Sequence, residues 1–398
     1  MNFLFCLIWQ LVASREFGRF KAVHHLKAQV VNDEIGVFYQ PNFAKNAMDS
    51  AKGDGQNWSG NVRFRKRSFH QRPLNFQNNQ PNQFDFEDHH LPDHTDPETV
   101  LALAQMTYDA YFDTNDSHWV PIPGWNVTTR FGFDSGAIRG YVFEDDLEET
   151  LVIVIKGTSL ATPIGSGPTA VLDKLNDNMM FSCCCAKASW SWNKICDCPV
   201  DGNTCSRSCL RKESNFDGSY YNLAQTIYLA VREWFPKHIN IWMTGHSLGG
   251  ALASLVALTN NIPAFAYESP GDLMFADRLG LLPSGPSADI DAFLSSLPIY
   301  HFGNNGDPIY LGECYGPSSS CYWMSYILES HCHVGLECVY DKNGPPVAHV
   351  QDININTVQY HSIDYVIKNY LIPAKAVPTC VYKPNCLSTE CLTWNFVE

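Results

Sequence analysis

The chain has 398 residues, 45% of them hydrophobic and 17% charged, and carries a formal net charge of −14. That length and apolar content can bury one large core or two smaller ones. So acidic a balance excludes a nucleic-acid binder that needs a basic face to displace phosphate counterions. Fifteen cysteines are too many for an ordinary cytosolic enzyme and point to an oxidising compartment.

In chain order, residues 1–20 read as a signal or a shortened membrane-anchor leader. Phe3 to Ala13 is apolar over the length of a signal-peptide core but too short for a bilayer-spanning helix. Residues 21–95 read as a flexible polar segment, because Asn, Gln, Pro and His crowd out the aliphatic residues that a core would need. The basic run Arg63, Arg65, Lys66 and Arg67 within it reads as solvated tail or a processing site. Asn57, Asn115 and Asn126 head Asn-x-Ser/Thr sequons and are candidate N-glycan acceptors in a secretory protein.

One folded domain is expected over residues 96–398. It opens at Asp96-Pro97-Glu98, where a capping residue, a proline in the first turn and an acid precede helically spaced apolar residues. Ala137 to Phe143 and Leu151 to Ile155, joined by an acidic turn, read as a hairpin whose second strand is buried on both faces. Residues 159–216 break the pattern with glycines, prolines and seven cysteines, and read as a Cys-rich insertion and candidate lid. A helix follows from Ser219 to Trp234, then a strand from Ile239 to Met243 and a helix from Ser247 to Thr259. Strands at Ala264 to Tyr267 and Pro298 to Phe302 complete an alternation that predicts an α/β fold with a mostly parallel, doubly wound sheet.

The cysteines lack paired Cys-x-x-Cys spacing, so they read as disulfides rather than zinc ligands. Beyond Cys6 they fall into groups of seven (Cys183 to Cys209), four (Cys314 to Cys338) and three (Cys380 to Cys391). Two odd groups cannot both pair internally, so at least one bridge is expected between the first group and the last.

Ser247 stands between Gly245 and Gly249, after a strand and before a helix, the setting in which a serine becomes an exposed nucleophile on a sharp turn. The amide of Leu248, at the helix start, is a candidate oxyanion donor, and so is that of Thr158 in the loop after strand Leu151 to Ile155. His246 reads as a packing or hydrogen-bonding residue. In this type of site the acid and then the base follow the serine in the chain. Asp307, in a glycine-rich loop past a strand, is favoured over Asp272, which holds a similar place one strand earlier. His361, just ahead of the apolar spacing of the last helix, is favoured over His331, His333 and His349. No metal or organic cofactor is expected.

Gly157-Thr158, Gly245-His246-Ser247-Leu248-Gly249, Asp307-Pro308 and His361 together resemble the fungal class 3 lipases of the α/β-hydrolase group, whose usual arginine before the first glycine is Lys156 here. IVIKGTS, MTGHSLGGALASLVAL, FAYESPGD and HFGNNGDPIYLGECYG, with the Cys-rich segments, are similar to the fungal vacuolar lipases of autophagy within that family. The resemblance implies a glycosylated single-pass membrane protein of the secretory pathway, carried through endosomal membranes to the vacuole lumen. Its partner there is the phospholipid membrane of autophagic bodies, whose acyl esters it hydrolyses; no protein partner is implied. The alternatives are a secreted triacylglycerol lipase or feruloyl-type esterase, and an inactive hydrolase-like binding protein. Trp190 and Trp192, in the insertion, are candidates for contact with a lipid interface.

Overall fold

The strand Thr150–Ile155 is buried along its whole length. Leu151, Ile153 and Ile155 enter the core on one face of a sheet, and Val152 and Val154 enter the core on the other. Period-two alternation gives this result for a strand covered on both sides.

The computed structural model describes residues 90–398 except 134–137, 160–169, 187–194, 217, 239, 285–287, 317–318, 320, 322–325, 329, 343–357 and 387–390, and upstream the backbone of four short strands, at 25–28, 37–39, 64–68 and 88–92. The leader, Asn57, Trp190, Trp192 and His349 lie outside the described residues. No described helix is long and apolar enough to cross a membrane.

Among the described residues the main sheet has nine strands: β1 (His25–Ala28), β2 (Val37–Tyr39), β3 (Trp125–Phe131), β4 (Gly140–Asp145), β5 (Thr150–Ile155), β6 (Asn240–His246), β7 (Ala264–Tyr267), β8 (Ile299–Asn304) and β9 (Leu336–Tyr340). Their spatial order is β9-β8-β7-β6-β5-β4-β3-β1-β2. Every pairing from β5 to β9 is parallel, while β3, β4 and β5 form an antiparallel meander.

Helices cover both faces. Helix α1 (Pro97–Asp109) starts where the sequence predicts, with the Asp96 carboxylate accepting from the Thr99 amide at 3.1 Å. It packs on one face with the last helix, which begins at Ile363–Val366 and widens into a π turn over Ile367–Leu371. The opposite face carries α3 (Tyr220–Trp234) and α4 (Leu248–Asn260). A mostly parallel sheet between two helical layers, with a serine turn at the end of a central strand, is the α/β-hydrolase architecture the sequence predicts.

Several elements escape the sequence reading, among them β1 and β2, two strands of the main sheet that lie within residues 21–95. Helix α2 (Ala170–Phe181) lies within residues 159–216. Its Asp173, Asn176, Asp177 and Asn178 are buried, so the polar face of the pattern points inward and the usual amphipathic cue is lost. Strand β3 has only a weak alternation, and β9 (LECVY) mixes a buried acid with a bridged cysteine. Folded contacts also begin before Asp96, where the Trp242 indole donates to the His90 carbonyl at 2.9 Å.

Among the described residues seven disulfides are formed: Cys183–Cys196, Cys184–Cys205, Cys185–Cys391, Cys198–Cys209, Cys314–Cys321, Cys332–Cys386 and Cys338–Cys380. Cys185–Cys391 is the expected bridge between the first group and the last. It sits beside a small sheet in which the C-terminal strand Asn395–Val397 runs parallel to Thr204–Ser206.

Candidate active site

Strand β6 ends at His246 and α4 begins at Leu248, which leaves Ser247 alone in the turn with φ 56° and ψ −130°. A non-glycine residue there carries strain that the surroundings must hold. The Ser247 amide is pinned by donation to the Tyr267 carbonyl at 2.9 Å. Strand and helix come so close around it that a Cβ at Gly245 would fall 2.3 Å from the Gly249 carbonyl oxygen, and a Cβ at Gly249 would fall 2.2 Å from that of Ile155. Both glycines are therefore steric requirements of the turn.

Asp307 lies just past β8, and His361 closes a short helical turn, Val358–His361, ahead of the last helix. His361 Nε2 is 2.8 Å from Ser247 Oγ, and His361 Nδ1 is 2.7 Å from Asp307 Oδ2. Asp307 Oδ1 accepts from the Ile309 amide at 2.9 Å. An ionised carboxylate only accepts, so His361 Nδ1–H donates to it and Nε2 is left to accept from the serine hydroxyl. All three side chains are buried, Ser247 at 7% exposure, His361 at 3% and Asp307 at 0%.

His246 is not part of that chain. Its Nε2 donates to the His361 carbonyl at 2.7 Å, so its Nδ1 accepts from the Tyr111 hydroxyl at 2.7 Å. Burial, reinforced by His361, holds its pKa well below the ordinary histidine value. This neutral ring anchors the backbone of the facing histidine, in line with the hydrogen-bonding role expected for it.

The Gly157-Thr158 loop passes directly over the serine: a Cβ at Gly157 would lie 2.9 Å from Ser247 Cβ. Helix α2 fixes this loop with two acids one turn apart. The Thr158 hydroxyl donates to Asp177 Oδ2 at 2.5 Å, and the Ser159 amide donates to Asp173 Oδ2 at 3.0 Å. The Lys156 ammonium donates to the same Asp173 oxygen at 3.2 Å and to Ser159 Oγ at 2.9 Å. Burial pushes the Asp177 carboxyl up to about 8 and pulls the Lys156 ammonium down. The Thr158 hydroxyl is thereby engaged by Asp177. Leu248, as the first residue of α4, has an amide the helix does not use.

The other candidates lie elsewhere. Asp272 is fully buried, with one oxygen accepting from the Val334 amide at 2.8 Å and the other 3.8 Å from His301. His333 is buried against Glu337, and His331 is exposed beside the Cys332–Cys386 bridge. Asn115 and Asn126 are exposed. The sequence reading missed Tyr111, Asp173 and Asp177; the one available signal was the spacing of four between two acids in a segment with helical apolar periodicity.

A profile of the class 3 lipases matches residues 202–263, the stretch holding α3, β6, the serine turn and α4. A protein of Vanderwaltozyma polyspora named "Putative lipase ATG15" is 43% identical over 316 residues, covering 77% of this chain and 53% of that protein. Its namesake in Saccharomyces cerevisiae S288c is 41% identical over 314 residues, covering 77% of this chain and 57% of that protein. The chain thus spans about half the length of the curated relatives it matches. Lip2 lipase from Yarrowia lipolytica, a crystal structure, is 18% identical with a TM-score of 0.33, covering 61% of this chain and 78% of that one. The family's elbow sequence lies on the serine turn, and the chain is similar to these lipases at about two-fifths identity across most of its length.

Proposed function

We propose that the protein is a serine-dependent lipase that hydrolyses acyl esters of membrane phospholipids and so lyses autophagic bodies or other intravacuolar vesicles. The observation that carries the catalytic reading is the continuous chain of hydrogen-bond distances from Ser247 Oγ through His361 to Asp307. Ser247 Oγ attacks the ester carbonyl while His361 Nε2 takes its proton. Asp307 holds the ring in the required tautomer and balances the imidazolium as it forms. The amides of Thr158 and Leu248 hold the oxyanion. His361 returns the proton to the leaving lysophospholipid oxygen, and water then releases the fatty acid by the same steps.

The choice of phospholipid and of compartment rests on the relatives' name and on the sequence resemblance. The disulfides favour passage through the secretory pathway, where the exposed Asn115 and Asn126 would accept glycans. Residues 96–398 are then the catalytic domain, and 159–216 the insertion that carries the lid. Purified wild type and Ser247→Ala are compared on phosphatidylserine-containing liposomes, triolein and a feruloyl ester. Ser247-dependent release of fatty acid from the liposomes is expected. Activity confined to triolein or the feruloyl ester would replace the substrate assignment, and an active Ser247→Ala variant would overturn the catalytic one.

A further inference from the structure

Glu268 follows β7 directly, at φ 44°, and is buried at 1% exposure. Its backbone amide donates to the Phe302 carbonyl at 2.9 Å, which turns the side chain in behind the site. Asn304 clamps the carboxyl group from one side: its side-chain amide donates to Oε1 at 2.7 Å and its backbone amide to Oε2 at 3.2 Å. The same side-chain amide donates to the carbonyl of Tyr360 at 2.8 Å, the residue before His361. On the other side lies the carboxyl of Asp307, whose charge adds to burial in raising the Glu268 pKa. Around this pair, among the described residues, stand the phenols of Tyr310, Tyr340 and Tyr370, with His361 beyond Asp307 and no lysine or arginine among them.

Two adjacent acids in a dry pocket without a cation cannot both ionise. Asp307 accepts from the Ile309 amide and from the ring N–H of His361, and both bonds favour its anion. Among the described residues, Glu268 receives donors from Asn304 alone. The shared proton therefore belongs on Glu268, whose pKa burial and the neighbouring Asp307 charge push well above the usual carboxyl range.

We propose that Glu268 is a positioning residue for hydrolysis: held as the neutral acid, it donates its O–H to the Asp307 carboxylate and keeps that group aimed at His361. Asn304 links the same clamp to the backbone beside His361, so the acid and the base are held by one network. Ionisation of Glu268 at rising pH places a second negative charge against Asp307 and removes the bond that orients it. The alkaline limb of the pH–rate profile then belongs to Glu268. This inference rests on the catalytic reading of Ser247, His361 and Asp307 above.

The test is kcat and KM against pH for wild type, Glu268→Gln, Glu268→Ala and Ser247→Ala on one short-chain ester. Glutamine keeps an N–H donor for Asp307 and an acceptor for the Asn304 side chain, gives up the longer bond from the Asn304 backbone amide, and cannot ionise. Glu268→Ala is expected to lower kcat ~10–100-fold with little change in KM, the scale of a misplaced catalytic group. Glu268→Gln is expected to restore kcat to within a few-fold at acidic pH and to hold it further into the alkaline range than wild type. Identical pH profiles for wild type and Glu268→Gln, or a glutamine variant as impaired as the alanine one at every pH, would overturn the proposal. Should Glu268→Ala fail to fold, the profile of Glu268→Gln decides alone. An active Ser247→Ala variant would refute the catalytic reading, whereas an inactive one with unchanged Glu268→Gln profiles removes only the role of Glu268.

Discussion

The ring of His246 donates to the backbone carbonyl of His361 at 2.7 Å, so the residue just before the serine fixes the main chain of the residue that faces it. Replacing His246 with alanine leaves the His361 carbonyl and the Tyr111 hydroxyl without their partner in a buried place. Such losses cost about 1–3 kcal/mol each. The expected outcome for His246→Ala is a lower melting temperature together with a lower kcat, because the His361 backbone loses an anchor; unchanged kcat would show that the other contacts around His361 suffice to position it.

Strain at the serine can be read separately from its chemistry. Ser247→Gly and Ser247→Ala both lose the hydroxyl and its contact with His361, and both should be inactive. Only glycine relaxes at φ 56°. Ser247→Gly is expected to be more stable than Ser247→Ala by about 1 kcal/mol, within the usual range for such backbone positions. Denaturant melts of the two variants measure the difference.

Cys185–Cys391 closes a separation of 206 residues and ties the end of α2 to the small C-terminal sheet. The chain-entropy argument assigns a loop of this order about 5 kcal/mol. The double variant Cys185→Ser with Cys391→Ser should therefore melt markedly lower than wild type, with the C-terminal segment the first to become sensitive to protease. Limited proteolysis with mass mapping tests the order of events.

Asp177 and His246 make opposite contributions to pH dependence. The Asp177 carboxyl rises from 3.8 to about 8 in the folded protein. The folded state thus holds a proton that the unfolded state has released, and the stabilisation present below about 4 is lost as pH climbs towards 8. His246 runs the other way: with its folded pKa below 6.5, it supports the fold above that pH and withdraws support as the solution is acidified. Asp177→Asn keeps an acceptor for Thr158 while removing the proton, so its melting temperature should fall less steeply from pH 4 to 8 than that of wild type. Equal slopes would place the titration elsewhere.

Much of this was legible in local pattern. Asp96-Pro97 marks a helix start, and the alternation of Thr150–Ile155 marks a strand buried on both sides, because a cap and a pleat depend only on near neighbours. The acids of α2 and the carboxyl of Glu268 were not legible. A buried acid has no signature of its own in sequence; what makes it tolerable is a partner such as Thr158, Lys156 or Asn304, brought alongside from another element.

By itself the sequence determined the turn around Ser247, since Gly245 and Gly249 are the residues that let a strand and a helix meet there, and the cysteine parity that demands a bridge leading out of the Cys-rich segment. Asp307 and Asp272 both follow sheet strands, and His361 and His333 both come after them in the chain. Only the tertiary structure decided between them: residues 114 and 54 positions apart reach 2.8 and 2.7 Å because the parallel strands deliver their loops to one edge and the last helix folds back over it. Distance across a packed sheet is a property of the whole core, and no spacing along the chain encodes it.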